Sequence, residues 1–571
     1  MCFLLIFIPL IGADEIAPTS TVMVPMRDGT QLPTDLYIPQ DLQDKPPFIL
    51  IRSPGGRQAK SAKAYLFLVQ LGYGVAIQDT RSAIDVEGKT MPYWTDGWGN
   101  QQDGFDAVEW LGHSPYSNGK IGTAGVSALG ITQLLLAPTA PPSLKCQYIG
   151  MAAASLYHHA IFPGGHLLKN QVEGWLGLYA KSPDVRTCVC CQPYYNNFWS
   201  NFDTPKVAGN VKVPAVHCGG WYDIFLQGTI DAFTSRQEHG GEGAKGTQKL
   251  LIGPWTHFWP TNTKLGDFDV PAEGRAPPID ISPQRWFAHY LKDVDNGVET
   301  IPAVTYYVMG TFDGSPSSGN VWRHADVWPV PAASTSFYLT ADHKLIEKGS
   351  SPVQAASFAY QYDSKNPVPT IGGCNLFLES GPKDQRSLEK REDVLLFTSE
   401  PLTEDLEVTG RVLAKVFFSS DQPDAEIVVR LCDVYPDGRS ILITDNAARM
   451  SAQGKNPSKG PQEIDVDLWS TSIVFAKGHR LRLSITSSNY PRFEKDTLTE
   501  NGNVAVLANN SLHVGGSHLS YFTLPIVRRG DKWLSEQTQK SKEIPLEFID
   551  PLNTIDSVEF LEHEPEKTFS H

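Results

Sequence analysis

The sequence predicts an α/β unit built on a parallel sheet, followed by an all-β sandwich. Three observations carry this. Short apolar strands alternate with helical segments up to about residue 300, the pattern of a parallel sheet with helices on both faces. Beyond Ile301 short alternating runs separated by Gly, Pro and Asp take over, as in a sandwich. The 571 residues include 48 glycines and 42 prolines, which supply the turns that many strands require.

The elements follow in order. Residues 22–37 alternate around Met26-Arg27-Asp28-Gly29-Thr30, a hairpin signal. The apolar run 48–52 ends at Ser53-Pro54-Gly55-Gly56, a strand entering a loop. Residues 64–71 have helical spacing and stop at Gly72. Segment 73–79 is the next strand, 106–111 a helix and 120–125 a third strand. A helix then runs over 128–137, closed by Pro138. Between residues 155 and 211 the alternation weakens and aromatics gather, among them Trp175, Tyr179 and Trp199, as in an insertion laid over the sheet. Strands resume at 213–220 and 249–253, and 283–291 is a helix with Trp286, Phe287 and Leu291 on its apolar face. The runs 304–309, 336–339, 411–418, 426–434 and 480–487 are expected sandwich strands, with a turn at Pro436-Asp437-Gly438. The expected boundaries are 14–154 and 212–300 for the α/β unit, 155–211 for the insertion and 301–571 for the sandwich.

Composition excludes several functions. With 63 acidic and 48 basic residues the net charge is −15, which leaves no basic face for nucleic acid. No block of basic residues offers itself to an anionic membrane. A chain that is 41% hydrophobic and 19% charged is not disordered. The apolar start, residues 1–13, is too short to span a bilayer. It fits a secretory signal ending at Gly12-Ala13, although the basic n-region is missing. The expectation is a secreted protein, or a cytoplasmic one if that segment is not a signal. Of eight cysteines, seven remain beyond Cys2, an odd count. Cys188-Val189-Cys190-Cys191 is either a disulfide node or a set of scattered thiols, and it lacks the further ligands of a zinc site. Asn509-Asn510-Ser511 is a glycosylation sequon. No metal or organic cofactor is expected.

The sharpest local feature is Gly125-Val126-Ser127-Ala128-Leu129-Gly130, where a strand turns directly into a helix. A serine there sits on a strained elbow with small flanking residues, and the helix start aims backbone N–H groups at a developing oxyanion. The usual pattern is G-x-S-x-G; here Leu129 holds the fifth position and glycine follows at Gly130. The other reading is a helix-capping serine. A serine nucleophile needs a histidine base oriented by a carboxylate. Two later strand ends carry them: Gly219-Gly220-Trp221-Tyr222-Asp223 and Gly253-Pro254-Trp255-Thr256-His257. Both lie at the C-terminal edge of the sheet, where α/β sites form. Of the competing histidines, His217 is expected in the core. His158, His159 and His166 are candidates for a pocket or the surface, and His239 completes the set.

With these residues assembled, the chain resembles the cocaine esterase family, within the X-Pro dipeptidyl-peptidase and α-amino acid ester hydrolase superfamily. The likeness rests on Gly125-Val126-Ser127, Gly220-Trp221-Tyr222-Asp223 and Gly253-Pro254-Trp255-Thr256-His257. It extends to Ile77-Gln78-Asp79-Thr80-Arg81 and, in the β-rich half, to Asp433-Val434-Tyr435-Pro436-Asp437-Gly438-Arg439. The resemblance implies an α/β-hydrolase domain with a helical cap and a C-terminal jelly roll of galactose-binding-like type. It also implies a Ser127–His257–Asp223 triad that cleaves esters or amides through an acyl-enzyme, with an oxyanion N–H from Ala128. A homodimer is an assembly it allows. One departure stands out. The family usually has a tyrosine after Arg-x-Pro, whose hydroxyl serves the oxyanion hole; here Arg52-Ser53-Pro54 is followed by Gly55. A backbone N–H of Gly55 or Gly56 is the expected replacement.

The leading expectation is therefore a serine hydrolase of small-molecule esters or amides, with Trp221 and Trp255 walling the acyl pocket. A second reading, X-Pro peptidase or α-amino ester chemistry, needs a carboxylate cluster for a substrate ammonium. Asp85, Glu87 and Asp96 lie on a suitable loop but read as solvated. A third reading is a hydrolase-fold binding protein that has lost catalysis.

Overall fold

The computed structural model describes residues 16–528 and 530, apart from 41, 86, 181, 259–263, 350–352 and 496–506. The expected signal segment lies outside the described residues.

Ten strands form the first sheet: β1 (Ser20–Pro25), β2 (Gln31–Tyr37), β3 (Phe48–Ser53), β4 (Gly74–Asp79), β5 (Ile121–Val126), β6 (Leu144–Gly150), β7 (Ala215–Tyr222), β8 (Lys249–Thr256), β9 (Val304–Val308) and β10 (Val321–Ala325). Their spatial order is 1-2-4-3-5-6-7-8-9-10. Strands β3 to β9 run parallel, while β1, β2 and β10 pair antiparallel. The chain steps outward from β3 to β4 and returns to β5 on the other side. That reversal opens a crevice at the C-terminal ends of β3 and β5, where the Gly55 loop and the Ser127 elbow begin. The main helices are α1 (Asp103–Gly112), α2 (Ala128–Leu136), α3 (Lys169–Tyr179), α4 (Pro183–Cys190), α5 (Leu226–His239) and α6 (Pro283–Lys292). The expected apolar face of α6 is buried at Trp286, Phe287 and Leu291.

Two expectations change. Residues 64–71 do not form one helix. There are single turns at Lys60–Lys63 and Phe67–Gln70, and Leu66, Leu68 and Val69, across their junction, donate to the carbonyl three residues back. Such tighter bonding breaks α-helical continuity. Residues 304–309, expected to open the sandwich, include β9, which pairs in parallel with β8 from Val304↔Leu250 to Tyr306↔Ile252. All five β9 side chains are buried, as an inner parallel strand requires, so the first sheet runs past residue 301. The sequence reading also lacked β6 and α5. Lys145 interrupts the first and Gly228 the second.

Residues 155–211 are helical, carrying α3 and α4, with an antiparallel bridge between Ser155 and Asp203 at the base. The C-terminal part is a β-sandwich of two antiparallel sheets with seven and four described strands. The expected runs appear as Ala333–Leu339, Leu406–Ser420, Glu426–Val434 and Arg480–Thr486. Gly438, at φ +89°, sits in the turn joining Glu426–Val434 to Ser440–Arg449. One apolar cluster runs from Trp221, Tyr222 and Tyr306 of the first sheet into Val412, Phe418 and Trp469 of the sandwich, so the two parts share a core.

Helix α5 begins just after Asp223 and lies directly on the backbone beyond β6. A Cβ on Gly228 would stand 2.9 Å from Ala153 Cα, 3.0 Å from Ala154 N and 3.1 Å from Ala152 O. Backbone neighbours cannot swing aside, so Gly228→Ala is expected to cost about 1–3 kcal/mol. The denaturant midpoint measures this; an unchanged midpoint would mean the contact relaxes freely.

Candidate active site

Ser127 adopts φ +59° and ψ −122°, a conformation that residues with a Cβ rarely hold. Its N–H bonds to Gly150 O at 3.0 Å, and its carbonyl accepts from Gly130 N and Ile131 N at 2.9 Å each, which starts α2. A Cβ on Gly125 would lie 2.4 Å from Leu129 Cβ, and one on Gly130 2.8 Å from Ala152 Cβ and 2.9 Å from Gly150 O. The unusual spacing thus has a reason: Leu129 packs onto Gly125, and the glycine the turn needs is Gly130, pressed against the end of β6. Ser127 occupies the N-cap position without making a side-chain cap bond. Its Oγ is instead 2.9 Å from His257 Nε2.

The base and its carboxylate come from the ends of β8 and β7. His257 Nδ1 lies 2.5 Å from Asp223 Oδ2, and Asp223 Oδ1 accepts from Phe225 N at 2.7 Å. Asp223 is fully buried and His257 nearly so. A carboxylate accepts only, so Nδ1 carries the proton and Nε2 is left to accept from the serine hydroxyl. The Phe225 ring meets His257 edge-on at 5.7 Å, bracing the imidazole. The three residue types expected at three strand ends are brought together in one line.

Ala128 opens α2, and its N–H has no intrahelical acceptor. Of the two glycine donors expected beside it, the Gly56 N–H is engaged by Ser53 O at 3.2 Å. The Gly55 N–H makes no hydrogen bond among the described residues.

That cavity holds about 510 Å³ of space free of protein atoms, its mouth included. Ser127 and Ala128 share it with Tyr93, Trp175, Leu178, Tyr179, Phe225 and Phe377, and among the described residues no charged side chain lines it. Phe377 reaches in from the sandwich side on a loop pinned by Asn375, whose Nδ2 donates to Gly372 O (2.8 Å) and Glu379 O (2.9 Å). Helix α3 lies flat on that ring: a Cβ on Gly174 would be 2.3 Å from Phe377 Cε2. Trp221 and Trp255, expected as pocket walls, are core residues instead. Trp221 Nε1 donates to Tyr307 O (2.6 Å) and its ring joins the shared core. Trp255 Nε1 donates to Gly274 O (2.8 Å). Each indole finds its acceptor inside the protein, which fixes it there.

The remaining candidates fall elsewhere. His217 is in the core, as expected, bonded to Gln248 Oε1 at 3.1 Å, and burial pushes its pKa down to about 3. His159 and His166 are buried against Asp231 and Glu426, His158 stacks on Tyr195, and His239 is exposed; none lines the cavity. Asp96 is not solvated: it is buried against Arg52, and burial raises its pKa. Asp85 caps its own loop through Thr90, and Glu87 is exposed. The seven described cysteines form no disulfide; Cys188 and Cys191 are exposed on or beside α4. No group of three metal-ligating side chains occurs among the described residues. Sequence reasoning missed Tyr93, whose φ of +69° is invisible in the sequence. It also missed Leu376 and Phe377, which enter from a distant loop.

Fold and site together define a class: a hydrolytic enzyme on an α/β-hydrolase fold with a C-terminal β-sandwich. Residues 28–188 and 179–259 match the X-Pro dipeptidyl-peptidase (S15) family, and 296–523 match the X-Pro dipeptidyl-peptidase C-terminal non-catalytic domain. The chain belongs to the cocaine esterase family of that superfamily. It is 30% identical over 584 residues to the cocaine esterase of Rhodococcus sp. (strain MB1 Bresler), covering 89% of this chain and 98% of that one. Among solved structures, an aminopeptidase from a marine-sediment Thaumarchaeota archaeon superposes with TM-score 0.74 at 22% identity, covering 91% of this chain and 98% of its own. An α-amino acid ester hydrolase does so with TM-score 0.71, the same identity and the same coverage.

Asp223→Asn keeps the shape of the site but lets the amide donate to Nδ1, which favours the wrong imidazole tautomer. Turnover of an aryl ester is expected to fall on the order of 10⁴-fold with little change in melting temperature. Turnover near that of the unaltered protein would remove Asp223 from the chemistry.

Proposed function

We propose that this protein is a serine hydrolase of small neutral carboxylic esters. Ser127 Oγ attacks the carbonyl while His257 Nε2 takes its proton. His257 then returns that proton to the leaving alcohol, and an acyl-enzyme remains. Water, activated by the same imidazole, releases the acid. Asp223 orients the ring and stabilises its charged form, and the Ala128 N–H steadies the tetrahedral oxyanion. The observation that carries this reading is the 2.9 Å contact from Ser127 Oγ to His257 Nε2, with Ser127 bordering an uncharged cavity. The same cavity favours neutral acyl groups over α-amino acyl groups, because among the described residues no carboxylate lines it to hold an ammonium. The Rhodococcus relative, named for an ester, supports the direction of the reading.

The test is fluorophosphonate labelling followed by mass-spectrometric mapping. Label is expected on Ser127 and none in His257→Ala. In an ester panel, p-nitrophenyl esters of neutral acids should turn over faster than matching α-amino esters. Folded protein that takes no label would defeat the proposal and favour a binding role for this fold.

A further inference from the structure

Three of the seven described cysteines stand together at the end of α4, in the cap: Cys188, Cys190 and Cys191. Helix geometry sorts them. At about 100° per residue, Cys188 and Cys190 point about 160° apart and Cys190 and Cys191 about 100° apart, whereas Cys188 and Cys191 are only about 60° apart and share a face. Burial follows the same division. Val185 and Val189 are buried in the core, Cys190 is half-buried, and Cys188 and Cys191 are both exposed. Burial also pushes the Cys190 thiol up in pKa, which makes it the poorer nucleophile. Elsewhere Cys146, Cys218 and Cys432 are buried and Cys374 is half-buried, so Cys188 and Cys191 are the exposed pair among the described residues.

Residues three apart in an α-helix have Cα atoms about 5 Å apart, inside the range of roughly 4.4–6.8 Å that a disulfide spans. Their Cβ atoms are about 5–6 Å apart, and a disulfide draws them to about 4 Å. The last turn therefore has to tighten, and here it is free to. Cys191 is the C-cap, at φ −78° and ψ 7°, and Gln192 N donates to Val189 O, three residues back, at 3.3 Å. This is the tighter winding in which side chains three apart eclipse. The rest of the helix is held independently. Ser182 Oγ accepts from Asp184 N at 3.3 Å, and Arg186 pairs with Glu173 of α3. Closure thus moves the free end of α4 and leaves its seat on α3. Two thiols are too few for a structural zinc site, but they complete a disulfide.

We propose that Cys188 and Cys191 form a redox-active dithiol, a modification site on the cap that reacts with small-molecule disulfides. One thiolate of the pair attacks a sulfur of the disulfide, which forms a mixed disulfide and expels one thiol. The second cysteine attacks the protein sulfur of that bond, which closes Cys188 to Cys191 and expels the other thiol. Two electrons and two protons leave the cysteines, and one small disulfide becomes two thiols. The bond is exposed and has to hold the last turn wound tighter, so a dithiol reductant reopens it readily. Neither cysteine lines the cavity beside Ser127, so the site stands apart from the triad.

The test uses the reduced full chain, freed of reductant, incubated with glutathione disulfide, alkylated with iodoacetamide and digested with trypsin. Cleavage after Arg186 and Lys206 leaves all three thiols on one peptide, which mass spectrometry reads. That peptide is expected to have lost two hydrogens and to carry a single carbamidomethyl group, on Cys190. Dithiothreitol before alkylation should restore a group on all three cysteines. Cys190→Ala should still close the bond, whereas Cys188→Ala should stop at the mixed disulfide and retain glutathione on Cys191. Three carbamidomethyl groups after treatment with glutathione disulfide would overturn the proposal. So would a bond that includes Cys190, a bond between chains, or glutathione retained by the unaltered protein.

Discussion

The backbone of Ser127 is held at φ +59°, and the arrangement around it follows from that. Such a conformation costs about 1–3 kcal/mol and survives only where the surroundings leave no alternative. Here they do not. Gly125 admits Leu129, Gly130 admits the end of β6, and the Ser127 N–H is tied to Gly150 O. Relaxing φ would break that bond and drive Leu129 into the strand. The strained turn lifts Oγ away from the helix it begins, so the hydroxyl meets His257 instead of capping α2.

The other parts of the site are supported from both sides of the molecule. Asp223 ends a strand whose Trp221 and Tyr222 are anchored toward the sandwich: Trp221 donates to Tyr307 O, and the Tyr222 hydroxyl donates to Leu442 O at 3.0 Å. The sandwich therefore steadies the strand end that carries the carboxylate, and through Phe377 it forms a wall of the cavity. The helical insertion supplies the opposite wall. The cavity walls thus come from the helical insertion and the sandwich side, while Ser127, Asp223 and His257 come from three strand ends of one sheet.

Much of this was legible in the sequence. Ser127, Asp223 and His257 each follow an apolar strand, and parallel sheets present such ends together. What was not legible depended on long-range packing. Trp221 and Trp255 looked like pocket walls because aromatics beside a catalytic residue fit either role. Their N–H groups found acceptors inside the core, and nothing local in the sequence says so. Val304–Val308 reads as a sandwich strand because alternation is the same in any half-buried sheet; its pairing with β8 is a tertiary choice. Asp96 read as solvated because its counter-ion, Arg52, is remote in the chain. Phe377 and Tyr93 reach the cavity through loop conformations that composition does not encode.

The central claim is that Ser127 and His257 act as one unit, each worthless to catalysis without the other. The most direct measurement is kcat for Ser127→Ala, His257→Ala and the double variant on the same activated ester. Residues that share one proton transfer do not contribute additively. The double variant is expected to be no slower than either single variant. Rates that multiply, the double variant losing the product of both single losses, would mean that the two side chains act independently and would contradict the relay.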